Sequence, residues 1–187
     1  HFQVVAVLER LGVPRGHLAR AGDVAALEMD RHFARHAGRR DDDPFAVLGQ
    51  EFAIDARAPK FDGGIVTRLD CVPFGIVVNR DAQRFYDEGE EFWPKRYAIW
   101  GRLVAQQPDQ VAYCLIDSKS IDLFMPSVFP PIEAGSIPDL ANRLKLDPAA
   151  LAATVQGFNA ATRPGAFDPA ALDGCATEGL EPKKSHW

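Results

Sequence analysis

One arginine, Arg96, could carry chemistry because of its place in a predicted helix. Proline favours the first helical positions, so the helix is expected to open at Pro94 and to run to about Gln106. The first turn of a helix carries partial positive charge, which disfavours a cation there unless an anion compensates it. A guanidinium binds carboxylates through two parallel hydrogen bonds. The position therefore indicates a carboxylate ligand, or an ion pair with Glu90 or Glu91.

The segments around this helix alternate between strand and helix patterns. Strands are predicted at residues 63–69, 75–79, 84–86 and 111–116, and the second and third form the arms of a hairpin. Helices are predicted at residues 4–11, 24–37, 136–144 and 147–160, the last two capped by Ser136 and Asp147. These patterns predict an α+β fold, in which helices pack on a small mixed or antiparallel sheet.

The composition is that of a globular domain with a sizeable core. Of the 187 residues, 47% are hydrophobic and 25% are charged, which fits one domain or one domain with an extension. The formal net charge of −5 argues against nucleic-acid binding, which needs a basic face. No apolar run reaches the roughly 18–20 residues of a membrane span. With no recognisable signal peptide, we expect a cytoplasmic protein without a membrane span.

The spacing of cysteines and histidines favours neither a disulfide framework nor a metal site. Cys71, Cys114 and Cys175 are widely separated and form no C-x-x-C pair, so reduced, buried thiols are expected. His32 and His36 lie four residues apart on a predicted helix, which is metal-ligand spacing, but no third ligand is evident. We therefore predict no metal.

The sequence that leads into the Arg96 helix resembles a known family. Residues 75–88 follow the pattern G-hydrophobic-hydrophobic-V-N-x-x-G-x-R-F-x-x-E, which is typical of the flavoproteins of the succinate dehydrogenase and fumarate reductase superfamily. Residues 96–117 (RYAIWGRLVAQQPDQVAYCLID) and 173–187 are most similar to its tricarballylate dehydrogenase branch. The resemblance covers residues 51–187. Ala82 stands where the family has glycine, so we expect it to adopt a left-handed backbone conformation.

In that superfamily, a mobile capping domain interrupts an FAD-binding domain and closes over a dicarboxylic or tricarboxylic acid. This chain resembles the cap. The FAD-binding domain is absent, since no two glycines sit two residues apart as a Gly-x-Gly-x-x-Gly turn requires. The resemblance implies a fragment, inactive alone, of an FAD-dependent CH–CH dehydrogenase or reductase. Its partners would be a polycarboxylate such as tricarballylate, succinate or fumarate, and the FAD-binding domain of the same polypeptide.

The same resemblance divides the chain into three parts. Residues 1–45 form a helical N-terminal segment without an assignment, and residues 46–162 form the substrate-capping domain. Residues 163–187 are a linker that returns toward the FAD-binding domain.

Four residues receive roles from the resemblance. Arg96 aligns with the cap arginine that handles the substrate proton, and Thr67 with a threonine that hydrogen-bonds a substrate carboxylate. Arg68 replaces a glutamate that relays protons in fumarate reductases, so we expect it to bind a third carboxylate instead. Gln50 lies where the family has a substrate-binding histidine and would donate an uncharged hydrogen bond.

Two other classes of function stay open. The chain could be a stand-alone module that binds an organic acid between Arg68 and Arg96, or a structural fragment that binds nothing. In the structural case Arg96 pairs with a neighbouring glutamate, and Thr67 is an ordinary strand residue. Uptake of added FAD would argue against the cap, because a cap without its flavin domain takes up none.

Overall fold

The fold of the chain is known from a computed structural model, which describes residues 4–12, 29–30 and 69–187. Its strands are β1 (Val4–Gly12), β2 (Met29–Asp30), β3 (Ile76–Asn79), β4 (Val111–Asp117) and β5 (Ile132–Ala134). Its helices are α1 (Trp93–Ala105), α2 (Ile137–Leu144) and α3 (Pro148–Ala161). The predicted α+β class is confirmed at this level.

The strands form one mixed sheet in the order β2-β1-β4-β3, and β5 also pairs with β1. β1 and β4 are antiparallel over seven residue pairs, from Val4 opposite Asp117 to Arg10 opposite Val111. β3 is antiparallel to β4, whereas the short β2 is parallel to β1. β2 and β5 share the other edge of β1, one at each end of the strand. β4 therefore lies in the middle of the sheet.

The prediction of a helical N-terminal segment is wrong where the structure describes it. Residues 4–11 belong to β1, and Met29 and Asp30, inside the second predicted helix, form β2. The run VVAVL is rich in β-branched valine, which favours a pleated strand. A short apolar run does not distinguish a strand from a buried helix, and pairing with the full length of β4 decides the outcome. The boundary at residue 45 stays a prediction.

The core lies between the sheet and the helices. The first six residues of β4 are all buried, in agreement with the predicted buried strand at residues 111–116. α1 packs on β1 and β4 and contributes Trp100 and Val104 to the core, both at most 1% exposed. α2 packs on α3, β1 and β5 and contributes Leu140 and Leu144. The helices therefore contribute hydrophobic side chains to a core that they share with the central strands.

The capping residues predicted for α2 and α3 are confirmed. The Ser136 hydroxyl accepts a hydrogen bond from the Asp139 amide at 3.2 Å. The Asp147 carboxylate accepts from the amides of Ala149 and Ala150 at 2.7 and 2.9 Å. These side chains pair amides that the first helical turn leaves without partners, and they fix where the two helices begin.

The predicted hairpin after β3 is confirmed in part. The turn is built around Asn79, whose Oδ1 accepts from the amides of Asp81 and Gln83, both at 3.0 Å. Ala82 has φ of 58°, so the expected left-handed conformation is present. The predicted second arm is reduced to a single bridge between Val78 and Arg84. The strand predicted at 63–69 lies outside the described residues except for Leu69, which is not in a strand.

The outer edge of β3 is covered by side chains and by the turn, without a further strand. The Val77 amide donates to Glu88 Oε1 at 2.7 Å, and the Asn79 amide donates to the Gln83 carbonyl at 2.9 Å. An open strand edge invites pairing with another chain. Here the buried Glu88 occupies that edge, which requires its charge to be compensated.

Within the C-terminal residues 163–187, predicted to be a linker, Lys184 and Ser185 contact the residues on either side of β3. The Lys184 ammonium donates to the Gly75 carbonyl at 2.7 Å. Ser185 donates to the Asp87 carboxylate from its amide at 3.0 Å and from its hydroxyl at 2.5 Å. The tail therefore lies next to the residues that lead into α1. Its continuation to another domain stays a prediction.

Candidate functional site

The candidate site is the N-terminal end of α1, where the helix begins without a side-chain cap. Phe92 occupies the capping position and supplies no side-chain hydrogen bond, and no acidic residue lies in the first turn. Pro94 lies within the first two helical positions, so the predicted start of the helix is confirmed. The ring of the C-terminal Trp187 lies 5.8 Å from that of Phe92. The partial positive charge of this helix end is compensated from outside the helix, by residues that precede it.

Arg96 lies one turn into α1 and forms an ion pair with Glu90. Its Nη2 donates to Glu90 Oε2 at 2.7 Å. Its Nε lies 2.7 Å from Glu90 Oε1, but the angle is unsuited to a hydrogen bond, so Nε has no hydrogen-bond partner among the described residues. The Tyr86 hydroxyl donates to the same Oε1 at 2.8 Å. Glu90 thus holds both the guanidinium and the phenol.

Aromatic packing fixes the position of Tyr86 in this group. The rings of Phe85 and Tyr86 each meet the Trp100 ring at 5.8 Å with edge-to-face geometry. Burial, followed by the hydrogen bond to Glu90, raises the pKa of Tyr86 above its ordinary value. The phenol therefore keeps its proton at neutral pH and acts as a donor to the carboxylate.

A second ion pair lies beside the first. Lys95 Nζ is 3.2 Å from Glu91 Oε2. The Phe92 amide is the largest cause of a lowered pKa of Glu91, and Lys95 adds to it. Glu90 and Glu91, which precede α1, thus pair with Arg96 and Lys95 in its first turns. An ion pair of Arg96 with one of these glutamates was one of the two alternatives that the sequence left open.

Chemically, the Arg96 group is a partly exposed guanidinium on a rigid support. Its side chain is 38% exposed, and Glu90 takes one edge of the fork. The remaining N–H groups of Arg96 can bind a carboxylate, and Glu90 holds the side chain in one orientation while they do so. The Arg96–Glu90 pair is equally able to act as a structural ion pair at the start of the helix.

Sequence reasoning missed a buried ionic cluster nearby. Arg84 donates to Glu88 from Nε at 2.9 Å and from Nη2 at 2.5 Å, and both side chains are almost fully buried. Arg84 Nη1 also donates to the Pro182 carbonyl at 2.6 Å, and the Arg84 Cζ lies 5.2 Å from the centre of the Phe158 ring. The R-F-x-x-E motif contains both members of this pair, but spacing alone does not reveal that the pair is buried.

Lys184 is the third member of this cluster and is 3% exposed. Burial lowers the pKa of Lys184 to about 8, against the attraction of Glu88 and Cys114, which raises it. The repulsion of Arg84 adds to the lowering. This lysine, predicted to lie in a linker, therefore belongs to the core beneath the edge of β3.

The other predicted site residues belong to the part of the chain that the structure does not describe, so their roles stay predictions. Gln50, Thr67 and Arg68 lie outside the described residues, as do His32 and His36. Among the residues that the structure describes, no group of histidine, cysteine and acidic side chains could hold a metal ion. Within the same part of the chain, every helix is too short or too polar to cross a membrane.

Comparisons with known proteins identify no relative. No family model matches the chain, and neither a curated protein nor a solved structure matches it. The resemblance to the flavoprotein superfamily therefore depends on the sequence motifs of residues 75–88, 96–117 and 173–187 alone.

Proposed function

We propose that this chain is the substrate-capping domain of a cytoplasmic, FAD-dependent oxidoreductase that acts on a dicarboxylic or tricarboxylic acid, tricarballylate being the best candidate. The observation that carries the proposal is the Arg96 side chain, 38% exposed and held by Glu90 at a helix end that lacks a side-chain cap. The motifs that resemble the superfamily point to the same residue, Arg96. Arg96 binds a substrate carboxylate and handles the substrate proton, while Thr67, Arg68 and Gln50 bind the other carboxylates.

The flavin itself does not fit the residues of this chain. A pyrophosphate needs glycines with open space beside their backbone, arranged as Gly-x-Gly-x-x-Gly. No two glycines of the sequence lie two residues apart, so this turn is missing from it. FAD is therefore assigned to another domain of the same polypeptide, and we derive no step through it.

One observation favours a different function. The Arg96–Glu90 ion pair forms without a ligand, as expected for a structural fragment or for a module that binds an acid without transforming it. These alternatives differ in what Arg96 does when a polycarboxylate is added. A structural arginine leaves carboxylate binding unchanged when it is replaced, whereas a carboxylate-binding arginine does not.

The test is a titration of the chain with tricarballylate, in which binding is measured by calorimetry and by changes in amide chemical shifts. We expect Arg96→Gln to weaken binding by about ten- to a hundredfold, the range for loss of a hydrogen bond to a charged group. Arg102→Gln is the matched control, since Arg102 is exposed near the other end of the same helix. It should bind like the unchanged chain. Equal binding by all three proteins would contradict the carboxylate site, and a loss only in Arg102→Gln would move it along α1.

The oxidoreductase assignment is tested in the enzyme that contains both the cap and its flavin domain. Arg96→Lys keeps the charge and loses the planar fork, so turnover should fall by about 10²–10⁴-fold, as when a positioned acid–base group is lost. Arg68→Ala should mainly raise KM, because a contact made equally in ground and transition states contributes uniform binding. Near-normal turnover in Arg96→Lys would leave Arg96 with the structural role.

A further inference from the structure

Two cysteines that are 43 residues apart in sequence meet in the core at the central strand β4. The Sγ atoms of Cys71 and Cys114 are 3.9 Å apart, and both residues are 2% exposed. Cys71 precedes the short 3-10 helix Val72–Phe74, and Cys114 lies in β4 opposite Val77. The two sulfurs are therefore carried by different elements, which the fold brings together.

The residues around this cysteine pair let the turn that carries Cys71 lie close to β4. A Cβ at Gly75 would lie 3.2 Å from Cys114 Sγ and 2.4 Å from the Leu115 carbonyl, so only glycine lets the Cys71 turn pack this closely on β4. The carbonyl of the same Gly75 receives the Lys184 ammonium at 2.7 Å. Lys184 is near enough to Cys114 for a charge on that sulfur to raise the pKa of the ammonium, after the larger effects of burial and Glu88. A neighbouring cation in turn favours the thiolate form of a cysteine.

We infer that Cys71 and Cys114 form a dithiol site that a small hydroperoxide oxidises to an intramolecular disulfide. With hydrogen peroxide, the Cys114 thiolate attacks one oxygen and the O–O bond breaks. Cys114 becomes a sulfenic acid, and the leaving hydroxide takes up the proton that the Cys114 thiol released and departs as water. The Cys71 sulfur then attacks Cys114 Sγ, an S–S bond forms as the S–O bond breaks, and the second water carries away the Cys71 proton. The two thiols lose two electrons and one peroxide gains them.

Burial sets the selectivity of this site. The sulfurs must approach from 3.9 Å to the roughly 2.05 Å of a disulfide, which needs small movements of the Cys71 turn against β4. The core excludes bulky thiols and disulfides, so the second cysteine resolves the sulfenic acid. Cys175 is partly exposed, and burial and the Asp173 carboxylate raise the pKa of its thiol. The reaction is independent of the proposed oxidoreductase function.

The experiment uses the full chain with Cys175→Ser and hydrogen peroxide as the probe, followed by alkylation in denaturant, intact mass and peptide mapping. We expect the loss of two hydrogen atoms and a cross-linked peptide that contains Cys71 and Cys114, both reversed by dithiothreitol. Closing this loop should raise the melting temperature by roughly 5–10 °C. The control, Cys71→Ser with Cys175→Ser, should form no cross-link and should give a Cys114 sulfenic acid that dimedone traps.

Four results would overturn the inference. Both cysteines of the folded chain could stay fully alkylatable while the urea-unfolded chain forms the cross-link. Peroxide could add oxygen atoms to both sulfurs without joining them. A disulfide could form between two chains instead of within one. An oxidised chain that melts below the reduced chain would show that the native fold does not accommodate the bond, and would count against it equally.

Discussion

Two arginine–glutamate pairs lie within a dozen residues of each other and have the same functional groups, but they differ in burial and in what they contact. In Arg84–Glu88, the side chains are 4% and 0% exposed, and in Arg96–Glu90 they are 38% and 21% exposed. The first pair joins the segment after β3 to the C-terminal tail, and the second lies at the start of α1. The comparison shows how burial decides the role of the same two side chains.

Arg84 has almost no capacity left for a ligand. It gives two hydrogen bonds to Glu88, and it also donates to the carbonyls of Pro182 and Lys183. Glu88 in turn accepts from the Val77 amide on β3. A buried charge is tolerated only when it is paired and hydrogen-bonded in this way, so the Arg84 pair is a structural connection between sheet and tail.

Arg96 has the opposite arrangement. Glu90 holds one edge of its guanidinium, and the Arg96 side chain is 38% exposed. The Tyr86 hydroxyl donates a hydrogen bond to the Glu90 carboxylate. A partly exposed pair contributes little to stability, because water screens it. The difference between the pairs is therefore a difference between holding the fold together and holding a binding group in place.

The largest expected effect is a difference in unfolding free energy between variants of the buried pair and variants of the exposed pair. Arg84→Ala leaves the buried Glu88 without its main partner and should lower the free energy of unfolding by about 3–5 kcal/mol. Arg96→Ala, the matched change in the exposed pair, should lower it by about 1 kcal/mol or less. Urea unfolding followed by circular dichroism measures both. Similar losses in the two variants would mean that the difference in burial does not set the roles of the pairs.

The second largest expected effect is a dependence of the unfolding free energy on pH, caused by Lys184, which lies beside the buried pair. Its pKa falls from the ordinary 10.5 to about 8 in the folded chain, chiefly through burial. Between these values the unfolded chain binds more protons, so the free energy of unfolding should rise with pH, by about 3 kcal/mol over the window. Below about pH 8 the lysine is protonated in both states and its contribution is constant.

Lys184→Met is the control for this prediction. The variant keeps a long apolar side chain in the core and removes the titrating group, so the rise between pH 8 and 10.5 should disappear. Glu88, Cys114, Arg84 and Asp87 also act on the lysine, but they remain in the variant and cancel from the comparison. A rise of the same size in Lys184→Met would show that Lys184 is not the source of the pH dependence.

The elements after β3 could be predicted from sequence because their signals are local. Pro94 marks the start of α1, and Ser136 and Asp147 cap α2 and α3 through side chains that are at most three residues from their partners. The position of Ala82 came from a family pattern, and its φ of 58° agrees. Local hydrogen bonding and steric restriction thus carry most of this part of the fold.

What could not be predicted depends on contacts between distant residues. β1 was assigned to a helix because its apolar run fits either structure, and its pairing with β4, more than a hundred residues later, decides it. Lys184 gave no local signal of burial, because its partners Gly75 and Glu88 lie about a hundred residues earlier. The Arg96–Glu90 pair is local and was foreseen as an alternative to ligand binding.

The smallest expected effect examines the turn that leads to Arg84. Ala82 and Lys145 both have φ of 58°, a conformation that costs a residue with a Cβ about 1 kcal/mol, which glycine avoids. Lys145 is exposed at the end of α2, so Lys145→Gly should raise the free energy of unfolding by about 1 kcal/mol. Ala82 is 1% exposed, and losing its methyl group costs about 0.8 kcal/mol, so Ala82→Gly should change stability little. Urea unfolding of the two glycine variants, with Lys145→Ala as a control that keeps the Cβ, measures the difference. A gain at Ala82 as large as that at Lys145 would show that its methyl group adds nothing to the packing around Arg84.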